Sequence, residues 1–215
     1  MGAIARNIAN NITTSGVFTS GAITNSSVTG ITVLANASDG ITLISSQTAS
    51  NSASISFTSG LDSTYKAYKF VFSSIHPRTD SANFTFNLST DSGSNYNVTK
   101  TTAFFLANHY EDDSSTSLTY DVNNDLAQST SFQVLTNQTG NGADESASGT
   151  LQLFNPSSTT YVKHFIANLN NYNQNNISFN TYIAGYGNTT SAVNAIRFQM
   201  SSGNMDGTIY MYGIK

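Results

Sequence analysis

The chain has 215 residues, 9% of them charged, and its eight Lys and Arg against twelve Asp and Glu give a formal net charge of −4. This balance leaves no basic surface, which argues against nucleic-acid binding. The absence of cysteine excludes disulfides, thiolate metal sites and cysteine nucleophiles.

The polar residues are mostly uncharged. Ser, Thr and Asn account for 86 of the 215 residues, while 13 Phe and 11 Tyr supply the volume of a real core. No apolar run approaches the length of a membrane span, about 20 residues. No charged segment followed by an apolar one opens the chain, so we expect synthesis in the cytoplasm without a secretory signal. A neutral polar surface suits a protein that works outside the cell.

The first part of the chain differs from the rest. Residues 1–60 carry only two charges, Arg6 and Asp39, and only Met1–Asn11 favours a helical turn or two. A loose five-residue repeat then places Thr at positions 14, 19, 24 and 29 and an apolar residue at positions 18, 23, 28 and 33. Four such short units cannot bury an apolar face alone.

We therefore expect residues 1–40 to form an extended N-terminal arm that docks on sister chains or on a larger assembly. The alternative is a mobile low-complexity linker. The apolar side chains expected to hold the arm in place are Ile4, Ile8, Phe18, Ile23, Val28 and Val33.

Residues 41–215 show a strand pattern throughout. Apolar residues alternate with polar ones in nine runs: Ala53/Ile55/Phe57, Tyr68/Phe70/Phe72, Ala82/Phe84/Phe86/Leu88, Phe132/Val134, Leu151/Leu153, Phe165/Ala167/Leu169, Ile177/Phe179, Ile196/Phe198/Met200 and Ile209/Met211. Clusters of Gly, Asn, Ser and Asp separate the runs. Nine or ten short strands without a convincing helix predict an all-β fold, an antiparallel, jelly-roll-like β-sandwich.

An amide-rich segment is the best candidate for a binding surface. Residues 168–176 read Asn-Leu-Asn-Asn-Tyr-Asn-Gln-Asn-Asn, and two further tyrosines follow shortly. Amide hydrogen bonds and stacking aromatic rings are what a sugar-binding surface uses. The glycan-binding candidates are Asn171, Tyr172, Asn173, Tyr182 and Tyr186. An ordinary polar hairpin is the alternative interpretation.

Metal binding has weaker support, and no cofactor is expected. Asp121, Asn123 and Asp125 match the first three ligand positions of a calcium loop. Leu126 stands where such a loop needs Gly, and Phe132 stands where it needs Glu, so only an irregular Ca²⁺ site remains open. The other polar cluster, residues 109–113, is either a cation site or a charged tip between two strands.

Sequence motifs of catalysis are absent. No Ser lies in a Gly-x-Ser-x-Gly turn, and the chain has only three His. We therefore expect the protein not to be an enzyme. A polysaccharide-degrading enzyme that uses His109, Asp112 and Asp113 is the remaining catalytic alternative, because active sites are defined by geometry as well as by motif.

Both ends of the chain resemble a known family. The start, Ala3-Ile-Ala-Arg-Asn-Ile8, and the end, Ala195-Ile-Arg-Phe-Gln-Met200 through Met205-Asp-Gly-Thr-Ile-Tyr-Met-Tyr-Gly-Ile-Lys215, are similar to segments of virion tail-fibre proteins of tailed, especially marine, bacteriophages. The strands Tyr68–Phe72 and Phe84–Leu88 fit the distal β-sandwich domain of such proteins.

The resemblance implies a structural virion protein on the phage tail surface, commonly a homotrimer. Residues 1–40 would attach it to other tail proteins, such as an adaptor or a nozzle, and the β domain would face solvent and bind host surface glycans. Because 215 residues leave no room for a long shaft, the length favours a short tail fibre or a decoration protein. A capsid decoration or head-fibre protein is the alternative.

Overall fold

The computed structural model describes residues 40–215, which form one compact unit. The arm and its six predicted anchoring residues lie outside the described residues. The described part is all-β, with twelve strands: β1 Ile41–Ser52, β2 Ile55–Phe57, β3 Ala67–Pro77, β4 Phe84–Ser89, β5 Lys100–Tyr110, β6 Thr116–Tyr120, β7 Gln133–Val134, β8 Ala147–Phe154, β9 Lys163–Asn173, β10 Ile177–Gly187, β11 Ala195–Met200 and β12 Met205–Ile214. Among residues 40–215, no helix could span a membrane.

The strands form two antiparallel sheets of unequal size. The large sheet has the order β1-β12-β3-β8-β9-β10-β5-β6, and the small sheet has the order β2-β11-β4-β7. Every ladder between named strands is antiparallel. The all-β antiparallel sandwich predicted from the period-two runs is confirmed.

Phenylalanine rings from both sheets meet in the core, and Phe198 of β11 stands at its centre. Its ring centroid lies 5.1 to 6.4 Å from those of five other buried rings, which are Phe57, Phe70, Phe72, Phe84 and Phe86. Phe86 of the small sheet also packs edge-on against Phe165 of β9, with centroids 5.0 Å apart. Such aromatic pairs stabilise the core beyond the apolar area that they bury.

The small sheet has half as many strands as the large one, so its strands alone do not cover the inner side of β9, β10 and β5. The loops before and after its edge strand β7, within residues 121–146, complete the cover together with β7. Thr181 of β10 donates its hydroxyl to the carbonyl of Leu135 at 2.6 Å, and the Thr102 hydroxyl of β5 donates to Oε1 of Gln133 at 2.6 Å. These bonds satisfy polar groups inside the fold, which would otherwise destabilise it.

Two buried lysines lie on either side of Gly187, the last residue of β10. Lys100 of β5 and Lys163 of β9 both pair with Gly187 of β10, and both side chains are inaccessible to solvent. The Lys100 ammonium donates to Oδ1 of Asn87 at 2.6 Å and to the carbonyl of Val98 at 2.9 Å. Lys163 donates to two backbone carbonyls. Burial lowers the pKa of Lys100 to about 7 and also lowers the pKa of Lys163.

Candidate functional site

The outer face of four neighbouring strands is the most distinctive surface of the described domain. Strands β9, β10, β5 and β6 lie side by side at one end of the large sheet. Side chains of a strand alternate between the two faces. The inward residues of β9, β10 and β5 contribute to the core, whereas every residue of β6 is exposed. The outward residues of the four strands form the solvent-facing surface, which we call the outer face. It carries both aromatic and amide groups.

One register position across this face holds three exposed aromatic rings. Tyr182 of β10 lies opposite Phe105 of β5, which lies opposite Tyr120 of β6. The three side chains are 49%, 44% and 45% exposed. The Phe105 and Tyr120 rings meet edge-on with centroids 5.3 Å apart. We call these residues the aromatic row, and with strands about 4.8 Å apart it extends roughly 10 Å across the sheet.

Amide side chains border the aromatic row. Asn168 of β9 pairs with Tyr182, and its Nδ2 donates to Oδ1 of Asn180 at 2.8 Å. Asn180 in turn donates from Nδ2 to the hydroxyl of Tyr182 at 3.2 Å. Asn170, also on β9, donates to the hydroxyl of Ser178 of β10 at 3.0 Å. These bonds orient the amides, so donors and acceptors stand in fixed places beside the rings.

A shallow hollow lies on the other side of the row. Its volume is about 440 Å³, and its walls include His164 and Ile166 of β9 with Ala184 and Tyr186 of β10. The rings of His164 and Tyr186 stand at an edge-on angle with centroids 6.0 Å apart. The hollow, the aromatic row and the amides are thus contiguous along the same strands.

The outer face holds no Lys, Arg, Asp or Glu side chain apart from its margins. Among the described residues, no outward position of the four paired strands holds Lys, Arg, Asp or Glu. At one margin, the hydroxyl of Tyr120 donates to Asp125 at 2.6 Å, and this bond raises the pKa of Tyr120. At the opposite end, burial and the neighbouring Glu111 raise the pKa of Tyr172. Acidic groups therefore flank a neutral centre.

The three tyrosines predicted to bind glycans all point outward. Tyr182 belongs to the aromatic row, Tyr186 lines the hollow, and Tyr172 stands at the far end of the face, where its hydroxyl donates to Oδ1 of Asn176 at 3.0 Å. The structure brings them onto one surface but does not make them neighbours. Tyr172 and Tyr186 lie at opposite ends of the β9–β10 pair.

The two asparagines of the same prediction require a correction. Asn171 and Asn173 point into the sandwich and are 1% and 0% exposed. Their Nδ2 groups donate to the carbonyls of Asn137 and Gln138 at 3.0 and 2.9 Å, so they hold this part of residues 121–146 in place. The physical reason is strand alternation: both share the parity of the buried Leu169. Neither side chain is available to a ligand on the outer face.

The calcium candidates lie in the turn after β6, where their carboxylates bind within the chain. Oδ1 of Asp121 accepts the backbone N–H of Asn123 at 2.9 Å, and Oδ2 accepts Nδ2 of Asn124 at 2.7 Å. Asp125 accepts the hydroxyl of Tyr120 instead. Within residues 40–215, no three His, Asp or Glu side chains are grouped so as to hold a metal ion together.

The His109 cluster occupies the turn between β5 and β6. Nε2 of His109 lies 3.1 Å from Oδ1 of Asp113, and both side chains are exposed. Asp112 accepts the backbone N–H of Ser114 at 3.0 Å. This geometry fits the second interpretation of residues 109–113, a charged tip between two strands. A polysaccharide-degrading site here would have to use the His109 imidazole and the Asp113 carboxylate, which are both exposed to solvent.

Sequence inspection missed Phe105 and Tyr120, two of the three rings in the aromatic row. A signal for Phe105 was present: Thr102, Phe104 and Leu106 alternate inward, so the adjacent Phe105 had to point out. A short signal for Tyr120 was present too: Leu118 and Tyr120 alternate with Ser117 and Thr119, although no residue of β6 is buried.

No family model matches the sequence, and no curated protein or solved structure matches it either. The assignment of function therefore depends on the outer face and on the resemblance of the chain ends described above.

Proposed function

We propose that the protein is a structural virion protein of a tailed bacteriophage, a short tail fibre that binds host surface glycans. Residues 1–40 attach it to other tail proteins, and several copies assemble, as a homotrimer, on the tail surface. The sandwich of residues 41–215 faces solvent and carries the binding surface. The protein performs no catalysis and needs no cofactor in this role.

The observation that supports glycan binding is the aromatic row beside its oriented amides. Large aromatic side chains on a soluble domain are usually buried, and a contiguous exposed group marks an interaction surface. Tyr182, Phe105 and Tyr120 offer ring faces and edges to the apolar C–H side of a sugar. Asn168 and Asn180 offer donors and acceptors to its hydroxyls. This combination suits a saccharide better than a purely apolar partner.

The charge of the face favours neutral glycans. Neither Lys nor Arg stands at an outward position of the four strands to pair with a carboxylate or sulfate, and the acids Asp125 and Glu111 at the margins repel anions. Binding to one face through a few rings is weak, and several copies per particle raise the overall avidity. Because stacking and amide bonds carry the interaction, added salt should change the affinity little.

Removing a ring of the aromatic row should weaken binding to a neutral polysaccharide by about tenfold per site. A sugar that covers about 50 Å² of one ring gains about 1.3 kcal/mol, which corresponds to that factor. We would measure binding of the full chain and of Tyr182→Ala to immobilised mannan, glucan and a sulfated galactan.

Tyr161→Ala is the matched control, because Tyr161 is an exposed tyrosine outside the four strands of the face. It should bind like the parent protein. Equal affinity of Tyr182→Ala and the parent for a bound glycan would refute this face as the binding surface. Preferential binding of the sulfated galactan would contradict the selectivity for neutral glycans.

A further inference from the structure

One of the two buried lysines is held against the side-chain amide of an asparagine. Lys100 is the first residue of β5 in the large sheet, and Asn87 belongs to β4 in the small sheet. Both side chains are inaccessible to solvent, and Nζ of Lys100 lies 2.6 Å from Oδ1 of Asn87. An amine and a carboxamide therefore meet between the two sheets, in a place that water does not reach.

The amine nitrogen is close to the carbon atom that it would attack. Because the bond between Cγ and Oδ1 is about 1.2 Å long, Nζ of Lys100 lies no more than about 3.8 Å from Cγ of Asn87. Reacting atoms in a near-attack arrangement are about 3 to 3.5 Å apart. A small rotation of either side chain brings the two atoms into this range.

The atoms around the amide suit the transfer of its acyl group to an amine. The backbone N–H of Leu88 donates to Oδ1 of Asn87 at 2.8 Å, so it stabilises negative charge that develops on this oxygen. Nδ2 of Asn87 donates to the carbonyl of Thr130 at 2.8 Å, which orients the leaving group. The carbonyl of Val98 accepts a hydrogen bond from Nζ of Lys100 at 2.9 Å and positions the amine.

Burial also makes Lys100 a better nucleophile at neutral pH. It lowers the pKa of the Lys100 ammonium to about 7, whereas a surface lysine is almost fully protonated at that pH. Within the described part of the chain, no carboxylate hydrogen-bonds to Lys100 or Asn87 to carry a proton between their nitrogens. We therefore expect a reaction that is slow compared with folding.

We propose that Lys100 and Asn87 form an intramolecular isopeptide bond that joins the two sheets. The neutral amine attacks Cγ of Asn87, and the carbonyl electron pair moves to Oδ1. A proton then passes from Nζ to Nδ2, the electron pair returns, the bond between Cγ and Nδ2 breaks, and ammonia leaves. The product is a neutral secondary amide, and the step needs no oxidant or co-reactant. It gives a chain without cysteine a covalent link between its sheets.

The unreacted and reacted chains differ in their response to pH. Until the bond forms, Lys100 is a buried amine that titrates, and afterwards it is an amide that does not. A protonated amine cannot attack, so a chain that is prepared and kept at pH 6 should retain its free amine. The proposal depends neither on glycan binding nor on the virion role.

Mass spectrometry of the full chain after several days at pH 8 tests the proposal. The mass should be lower than the sequence requires by one ammonia. Trypsin cuts after a free lysine, so the unreacted chain yields the peptides 79–100 and 101–163. The reacted chain should yield the single peptide 79–163, because an acylated Lys100 is not cut. Further cleavage after Tyr96 should leave two fragments that the new bond holds together.

Lys163→Met is the matched control, because Lys163 is equally buried but donates only to backbone carbonyls. This variant should lose ammonia like the parent, whereas Lys100→Met should keep the full mass of its sequence. A parent chain of full mass that trypsin cuts after Lys100 would overturn the proposal. So would a loss of ammonia with Lys100 still cut, because the loss would then come from another amide. Both decisive readings come from the parent and do not require either variant to fold.

Discussion

Replacing Phe198 by alanine should lower the free energy of unfolding by about 4 kcal/mol. Its ring contacts five other phenylalanine rings from both sheets, so its removal opens a cavity that no single neighbour can fill. The loss combines the transfer free energy of the ring with the energy of the cavity. Chemical denaturation of the two proteins, with equal slopes, would measure it.

Phe105→Ala is the matched control for this prediction. It removes the same side chain from the outer face, where Phe105 is 44% exposed and its main ring partner is Tyr120. We expect a loss of less than about 1 kcal/mol there. Comparable losses at the two positions would show that the sandwich is not centred on Phe198.

The second large effect should come from Lys100 and should depend on pH. Burial lowers the pKa of Lys100 to about 7 in the folded domain, against about 10.4 in the unfolded chain. Between these values the unfolded chain binds more protons, so the free energy of unfolding rises as the pH increases from 7 to 10. Below pH 7 the penalty for the buried charge is complete. The full size of this penalty, in the chain whose Lys100 amine is free, is at most about 5 kcal/mol.

Lys100→Met should remove this pH dependence. At pH 6 to 7 the variant should be more stable than the parent, because methionine fills similar volume without a buried charge. Near pH 10 the order should reverse, because the neutral amine of the parent keeps its bonds to Asn87 and Val98. Denaturation curves at pH 6, 8 and 10 would show the crossing. Parallel pH profiles of parent and variant would contradict the account.

The sheet content of the domain was predictable because its strands bury one side. All nine period-two runs coincide with or overlap strands of the structure. Strand β6 has only five residues with a single apolar pair, Leu118 and Tyr120, and in β5 the doublet Phe104-Phe105 interrupts the alternation, so neither strand was recognised. The uneven division into eight and four strands depends on long-range pairing, which no local pattern encodes.

The candidate site was predictable only in part, for a similar reason. Alternation along β9 places Tyr172 on the outer side and Asn171 and Asn173 on the inner side. The sequence pattern therefore already indicated that the two asparagines are buried. The aromatic row, in contrast, joins residues of β10, β5 and β6 that are distant in sequence. Its existence depends on the register of two ladders. The partners of Lys100 and Lys163 likewise come from segments that only the tertiary fold brings together.

The most direct test of the account is the location of the protein on phage particles. An antibody raised against the protein, with a gold label, would be imaged on particles released from cells that make it. The account predicts label at the tail of the particle. Label spread over the head would contradict the tail-fibre assignment in favour of capsid decoration. Particles without any label would contradict the virion role altogether.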